Sequence, residues 1–376
     1  MIILSLAALF LFGTILYVSG FIWLRYGLKK LPQSIQVKTY SISVIVSLHN
    51  EEDNISGLLR HLLSQNYAAD KHEIILVDDR SEDATYSKLQ QYTDDKYPVR
   101  IVQITKTPAG VAPKKYAIDQ AIQAARGEIL LFTDADGRPG PNWIRGVIRY
   151  FADSVGMVIG YAPYRTARQK VSFWQKLLAI EYLTHASVAA ASTGLGYPAT
   201  CVGTNMAYRK SVYEELGGFG QFKSIHSGDD DLFLQRVREE TQWQVRYASD
   251  PDCHVPNAPP VNWLQFYQQR IRYASKGFIY PLELTLLLTG FVLYYLSIPV
   301  LLILSVWFPV LFPVVVVGVV CKAVVDYMFI SRAAENLHDR RNLYFWPLAF
   351  VLHVPYVLFF AFITQFKSYE WAGRRG

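Results

Sequence analysis

Charge is scarce in this chain, and its absence is concentrated. Of 376 residues only 18% are Asp, Glu, Lys or Arg while 51% are apolar, and the stretches 1–24, 284–321 and 343–366 contain no charged residue. That distribution excludes a single soluble domain. A bilayer core of about 30 Å is crossed by roughly 20 helical residues, so the outer stretches have the length for one span each and the middle one for two. Cysteine is nearly absent: Cys201, Cys253 and Cys321 stand far apart, which excludes a disulfide framework and a thiolate metal site. A large basic excess is missing too. A net charge of +6 suits anionic lipid headgroups and gives no argument for a nucleic-acid partner.

The first stretch lacks the basic start and the small-residue cleavage site of a signal peptide, so it reads as an anchor. Arg25, Lys29, Lys30 and Lys38 follow it closely, which places the next region on the cytoplasmic face. The expected order is a transmembrane helix over 1–24, a cytoplasmic domain over 40–280, two transmembrane helices over 282–330, and a last transmembrane or re-entrant segment over 343–366. The charges Lys367, Arg374 and Arg375 beyond that segment are balanced by Arg332, Arg340 and Arg341 before it, so its topology stays open. A re-entrant segment kinked at Pro347 and Pro355 reconciles the two. Lys322 and Asp326, one helical turn apart in an apolar run, are expected to pair with each other.

The central region alternates strands and helices. Residues 42–48 and 73–77 are short β-branched runs, and Ile55, Leu58, Leu59, Leu62 and Leu63 between them recur at helical spacing, a β-α-β unit and hence a parallel pair. A third strand is expected over 99–104. A second helix follows, striped by Ala117, Ile118, Ala121, Ile122 and Ala125 and closed by Gly127. The run 128–133 then delivers Asp134 and Asp136, which an extended chain presents on one side. Two oxygen ligands so placed suit Mg²⁺ or Mn²⁺ holding a diphosphate, although Asp-x-Asp is also a common solvated turn. Ligands of open parallel sheets sit beyond the carboxyl ends of the strands. Here those ends carry Asn50-Glu51, Asp78-Asp79 and Asp134-Asp136.

The succession Asn50-Glu51-Glu52, Asp78-Asp79, Lys114-Lys115 and Asp134-Ala135-Asp136, followed by Asp229-Asp230-Asp231 and Gln269-Arg270-Ile271-Arg272-Tyr273, resembles the membrane-embedded family 2 glycosyltransferases over roughly residues 40–280. It is similar to the ceramide glucosyltransferase-like and the cellulose or hyaluronan synthase-like members. The resemblance implies an α/β fold of the GT-A type, Rossmann-like and nucleotide-sugar-binding, and an inverting hexosyltransferase with a UDP-sugar donor.

By the same resemblance Asp79 binds the nucleotide base, Asn50 and Glu51 line the nucleoside pocket, Lys114 reaches the nucleotide, Asp134 sits near the ribose and Asp136 binds the cation. Lys115 is expected in solvent. The acceptor hydroxyl is a poor nucleophile, so a carboxylate must take its proton; Asp230 is the candidate base, with Asp229 next. Asp231 is a candidate for that alignment or for the cap or first turn of a helix over 232–239. Gln269 and Arg272 share a helix face, with Arg272 suited to the diphosphate. Tyr273 replaces the family's Trp as an aromatic face for the acceptor.

A helix over 172–191 is expected to lie in the membrane interface or in the core. The proline-rich loop 251–260 reads as a lid with a solvated His254, a metal ligand being the lesser alternative. The expected partners are a nucleotide sugar, the bilayer, and a lipid acceptor or growing glycan. About four spans leave little protein to line a pore for a polar chain, so transfer to a lipid is favoured over a processive polysaccharide synthase. A catalytically silent nucleotide-sugar-binding scaffold is the reading of another class.

Overall fold

The computed structural model describes residues 1–33, 38–94, 97–165, 172–276, 279–366, 370–371 and 374–375. Lys367 lies outside them. In chain order the elements are α1 (Ile2–Lys29), β1 (Ile42–Leu48), α2 (Ile55–Leu63), β2 (His72–Asp79), α3 (Thr85–Leu89), β3 (Val99–Ile104), α4 (Pro113–Ala124), β4 (Ile129–Phe132), α5 (Trp143–Ile148) and β5 (Val155–Gly160). They continue with α6 (Phe173–Gly194), β6 (Met206–Arg209), α7 (Lys210–Glu215), α8 (Asp231–Glu240), β7 (Gln244–Ala248), α9 (Trp263–Ala274), α10 (Leu282–Leu304), α11 (Leu311–Asn336) and α12 (Trp346–Ile363).

Seven strands form one sheet in the order β3-β2-β1-β4-β6-β5-β7. β3, β2, β1 and β4 are parallel, β6 runs antiparallel to both β4 and β5, and β7 is parallel to β5. The fold is therefore α/β with a mixed sheet. Alternation along β1 explains its two covered faces: Val44, Val46 and Leu48 join a core with α2 and α5, while Ile45 joins one with α4 and α6. Because β2, β1 and β4 are neighbours, their carboxyl ends bring the three acidic segments side by side.

Gly127 does not close α4. That helix ends at Ala125 in an extended conformation, and a Cβ on Gly127 would lie 2.3 Å from the Ser43 nitrogen. The glycine is needed for close passage beside β1.

Four helices are long and apolar enough to cross a membrane: α1, α10, α11 and the segment Leu343–Ile363 that contains α12. α1 and α10 pack with α11 through Phe10, Tyr17, Tyr295, Leu311 and Val315. The inner end of α1 crosses α6 where both carry glycine; a Cβ on Gly194 would lie 2.1 Å from the Gly27 carbonyl oxygen. This crossing joins the long apolar helices to the sheet domain.

α12 is placed differently. Phe345, just before it, meets Phe173 of α6 at 5.4 Å, and Phe360, near its far end, meets Phe266 of α9 at 5.8 Å. Trp174, next to Phe173, is itself 5.1 Å from Phe266. One end of α12 thus meets α6 and the other meets α9, two helices that touch each other at Trp174 and Phe266.

Candidate active site

β1 runs straight into the loop that carries Asn50 and Glu51. Asn50 takes a left-handed backbone, φ 55°, which Asn tolerates better than most residues. Its N–H donates to Ser81 Oγ at 3.0 Å and its Oδ1 accepts from the Glu82 N–H at 2.8 Å. His49 Nδ1 lies 2.7 Å from the Asp79 carbonyl oxygen. The buried Asp79 carboxylate accepts from Arg80 Nε at 2.9 Å. The loops after β1 and β2 are therefore one hydrogen-bonded unit.

Across β4 stand Asp134 and Asp136. Burial, with Asp134 and Glu51 beside it, pushes the Asp136 carboxyl up to about 7, against the opposing pull of Arg138. Glu51 is also raised, chiefly by burial, despite accepting from Asn54 Nδ2 at 2.7 Å. Carboxylates crowd in this way when a cation is to share them. Among the described residues no group of three or more His, Cys, Asp or Glu side chains could by itself hold a metal. The donor set is all oxygen and leaves room for oxygens from a substrate, which fits Mg²⁺ or Mn²⁺.

Lys114, at the start of α4, joins this cluster to the aspartate triplet. Its Nζ is 3.2 Å from Asp134 and 2.9 Å from Asp229. Burial alone would lower its pKa, but these carboxylates raise it above its ordinary value. Thr204 Oγ1 donates to the other Asp134 oxygen at 2.5 Å. Lys115 is not solvated as the sequence suggested. It is buried and donates to the carbonyls of Phe222 at 2.7 Å and Ser227 at 3.0 Å, with burial lowering its pKa to about 8.

The triplet divides its roles. Asp230 caps α8: its Oδ1 accepts from the Asp231 N–H at 2.7 Å and its Oδ2 from the Gly203 N–H at 2.9 Å. A carboxylate offers about four acceptor sites, so Asp230 keeps capacity toward the cavity it lines. Asp231 opens the helix with its Oδ2 engaged by Lys276 Nζ at 2.6 Å and Tyr280 Oη at 2.5 Å; burial would raise it, yet Lys276 keeps it below the ordinary carboxylate range. Lys276 and Tyr280 escaped the sequence reading, although Lys276 follows Arg272 by one helical turn.

α9 presents Gln269, Arg272 and Tyr273 to the same cavity. Gln269 Oε1 accepts from Tyr164 Oη at 3.2 Å and from Arg270 at 3.0 Å. Burial would lower the Arg272 pKa, but Tyr273, Asp230, Asp229 and Asp134 raise it, so its charge faces these carboxylates. The Tyr273 ring lies 5.1 Å from the Arg272 guanidinium. Arg270 is buried and paired with Glu181 of α6, which also accepts from Tyr356 of α12 at 3.1 Å.

The cavity is about 1480 Å³. Glu51, Lys114, Asp134, Asp136, Asp229, Asp230, Gln269, Arg272 and Tyr273 line it, whereas Asn50 and Asp79 do not. Its walls continue into α1, α6, α10 and α12. The loop after β7 is not a free lid: Cys253 and Val255 are buried, the Pro256 carbonyl accepts from the Arg138 N–H at 2.8 Å, and only its end, from Asn257 on, borders the cavity. His254 is buried against Tyr161, its Nε2 3.3 Å from the Ser249 carbonyl, so it is not solvated, and it belongs to no group of three or more metal-ligating side chains among the described residues.

A mixed sheet with acidic strand ends and a carboxylate pair after β4 defines a GT-A fold. Residues 43–217 match the model of the family described as "Glycosyl transferase family 2". The chain is similar to the "Probable glycosyltransferase YdaM" of Bacillus subtilis, 26% identical over 253 residues, 66% of this chain and 56% of that protein. It is also similar to the "Beta-monoglucosyldiacylglycerol synthase" of Synechocystis sp., 25% identical over 240 residues, 63% of this chain and 48% of that one. The matches thus span about half the length of these relatives. Among solved structures, the mannosyltransferase PcManGT from Pyrobaculum calidifontis, in complex with GDP-Man and Mn²⁺, aligns with a TM-score of 0.58 at 20% identity over 96% of each chain. At that identity the likeness carries the fold.

Proposed function

We propose that this protein is a membrane-bound inverting glycosyltransferase that moves a hexose from a nucleotide sugar, UDP-linked, to the hydroxyl of a lipid at the cytoplasmic membrane face. The observation that carries the reading is the continuity of one cavity. It begins at Asp134, Asp136, Asp229 and Asp230 and ends among α1, α10 and α12, so a polar donor and an apolar acceptor can meet in it. A relative named for diacylglycerol glucosylation supports the acceptor class. The residues 40–280 would form the cytoplasmic domain, and α12 an interfacial or re-entrant segment, because one of its ends meets α6 and the other α9.

In this reading Asn50 and the buried Asp79 hold the adjoining loops in shape for the nucleotide base, and Glu51 and Lys114 border the nucleoside and its phosphates. Asp136 would hold Mg²⁺ or Mn²⁺, which, when bound, stabilises negative charge on the departing diphosphate. Arg272, with Gln269 beside it, faces that charge from the opposite wall. Asp230 takes the proton of the acceptor hydroxyl as its oxygen attacks the anomeric carbon and the bond to the diphosphate breaks. Its two N–H contacts fix the carboxylate in place for that transfer. Tyr273 supplies the face against which the acceptor or sugar lies.

The test uses purified protein in native lipid with a panel of radiolabelled nucleotide sugars and Mn²⁺ or Mg²⁺, followed by extraction into organic solvent. One labelled, extractable species supports the reading. Label in a polymer would make the protein a polysaccharide synthase, and no transfer from any donor would make it a nucleotide-sugar-binding scaffold.

A further inference from the structure

The membrane end of the cavity is not uniformly apolar. Tyr17 of α1, Tyr295 of α10, Asp326 of α11 and His353 of α12 all line it. Asp326 pairs with Lys322 at 2.5 Å and accepts from Tyr17 Oη at 2.8 Å. The Tyr17 proton is thereby committed, so the 3.2 Å contact between the Tyr17 and Tyr295 hydroxyls is donated by Tyr295. Tyr295 then offers the cavity only acceptor lone pairs. His353 sets its ring edge-on to Tyr295 with centroids 5.5 Å apart, and neither ring nitrogen has a hydrogen-bond partner among the described residues. A neutral imidazole carries one N–H donor, and among apolar helices there is little water to satisfy it.

We infer that His353 and Tyr295 form a subsite for the acceptor, in which the imidazole N–H donates to a carbonyl of a lipid alcohol. The inference rests on the lipid-acceptor reading and deepens it to a class: an alcohol whose hydrocarbon chains are joined through ester or amide carbonyls. The polar chain from Tyr295 through Tyr17 to the Asp326–Lys322 pair ties α10, α1 and α11 together beside that donor and fixes the hydroxyl directions. Asp326 is neutralised by Lys322, so the subsite favours no net charge on the part of the lipid it meets. The lipid hydroxyl is left to the other end of the cavity, at Asp230.

The experiment compares 1,2-diacylglycerol with the matched 1,2-dialkylglycerol, whose ether oxygens are poor acceptors, as substrates of the unsubstituted protein. One ordinary hydrogen bond corresponds to about tenfold in affinity. The ester lipid is expected to be used with roughly tenfold higher kcat/KM, through a lower KM for the lipid. In His353→Phe, which keeps the ring and removes the N–H, that preference is expected to vanish. A thermal shift caused by the nucleotide sugar reports whether the variant is folded. Equal use of both lipids by the unsubstituted protein overturns the subsite, even if the variant fails to fold. A preference that persists in folded His353→Phe overturns it as well. No transfer to either lipid removes the lipid-acceptor reading and the subsite with it, an outcome distinct from transfer without discrimination.

Discussion

The Lys114 ammonium lies 2.9 Å from the carboxylate of Asp229, a residue 115 positions further along the chain. Through its second contact, with Asp134 at 3.2 Å, it ties the end of β4 to the turn before α8. One side chain thereby sets the distance between the two carboxylate groups on which the proposed chemistry depends.

Replacing it should separate those groups. Lys114→Met is expected to lower kcat/KM by roughly 10- to 100-fold, the equivalent of one charge-assisted hydrogen bond. Lys114→Arg should not fully restore it, because the larger, rigid guanidinium does not fit the geometry of a compact ammonium held between two carboxylates 2.9 and 3.2 Å away. Steady-state kinetics with varied nucleotide sugar checks both, and wild-type turnover in Lys114→Met would contradict the assignment.

Asp230→Asn retains a side-chain oxygen for the helix cap but no base. Turnover is expected to fall by about 10²–10⁴-fold, with nucleotide-sugar affinity little changed and a Tm within a few degrees of wild type. Asp229→Asn instead weakens the Lys114 pair, so its effect should appear in donor binding. If Asp229→Asn alone abolished turnover while donor binding persisted, the base would be Asp229.

Chelation and Asp136 should act on the same step. EDTA is expected to stop transfer and Mn²⁺ or Mg²⁺ to restore it. Asp136→Ala should lose roughly 10²–10³-fold in kcat and recover nothing on adding metal. Calorimetry of metal binding in the presence of the nucleoside diphosphate gives a second readout, in which Asp136→Ala should show a weakened metal isotherm.

Acid should destabilise the protein through His254. Burial lowers its pKa from an ordinary 6.5 to about 4, so between these values the unfolded chain binds the proton and the folded one does not. Stability contributed by the neutral ring is therefore complete above pH 6.5 and lost as the pH falls towards 4, by about 3 kcal/mol in total. His185, lowered to about 4 by burial as well, adds in the same direction. The Tm of His254→Gln, which cannot charge, should fall less steeply over this range; an unchanged slope would exclude His254 as a source.

Much of the site was legible because it depends on local chemistry at strand ends. Asp134 and Asp136 follow an apolar run, and the β-α-β pattern puts the carboxyl ends of parallel strands, with their acidic residues, at one edge of the sheet; that β2, β1 and β4 are neighbours there came from the fold. What escaped reading was set by contacts between distant segments. Nothing near Lys115 indicates that the carbonyls of Phe222 and Ser227 will enclose it while Lys114 is left to the carboxylates. Two lysines adjacent in sequence point about 100° apart on a helix, and the neighbour each meets is decided by packing.

The sequence by itself determined that this is an α/β domain with long apolar segments on both sides, since charge-free stretches and alternating strand and helix periods are properties of short windows. It also determined which residue types stand at the strand ends. Only the tertiary structure decided that Asp230 caps α8 while Lys276 and Tyr280 engage Asp231, that His254 is buried, and that one end of α12 meets α6 and the other α9. Each of these depends on which of several equally polar or equally apolar partners comes within a few ångströms. That choice follows from how the sheet and the long helices pack together, which no local pattern encodes.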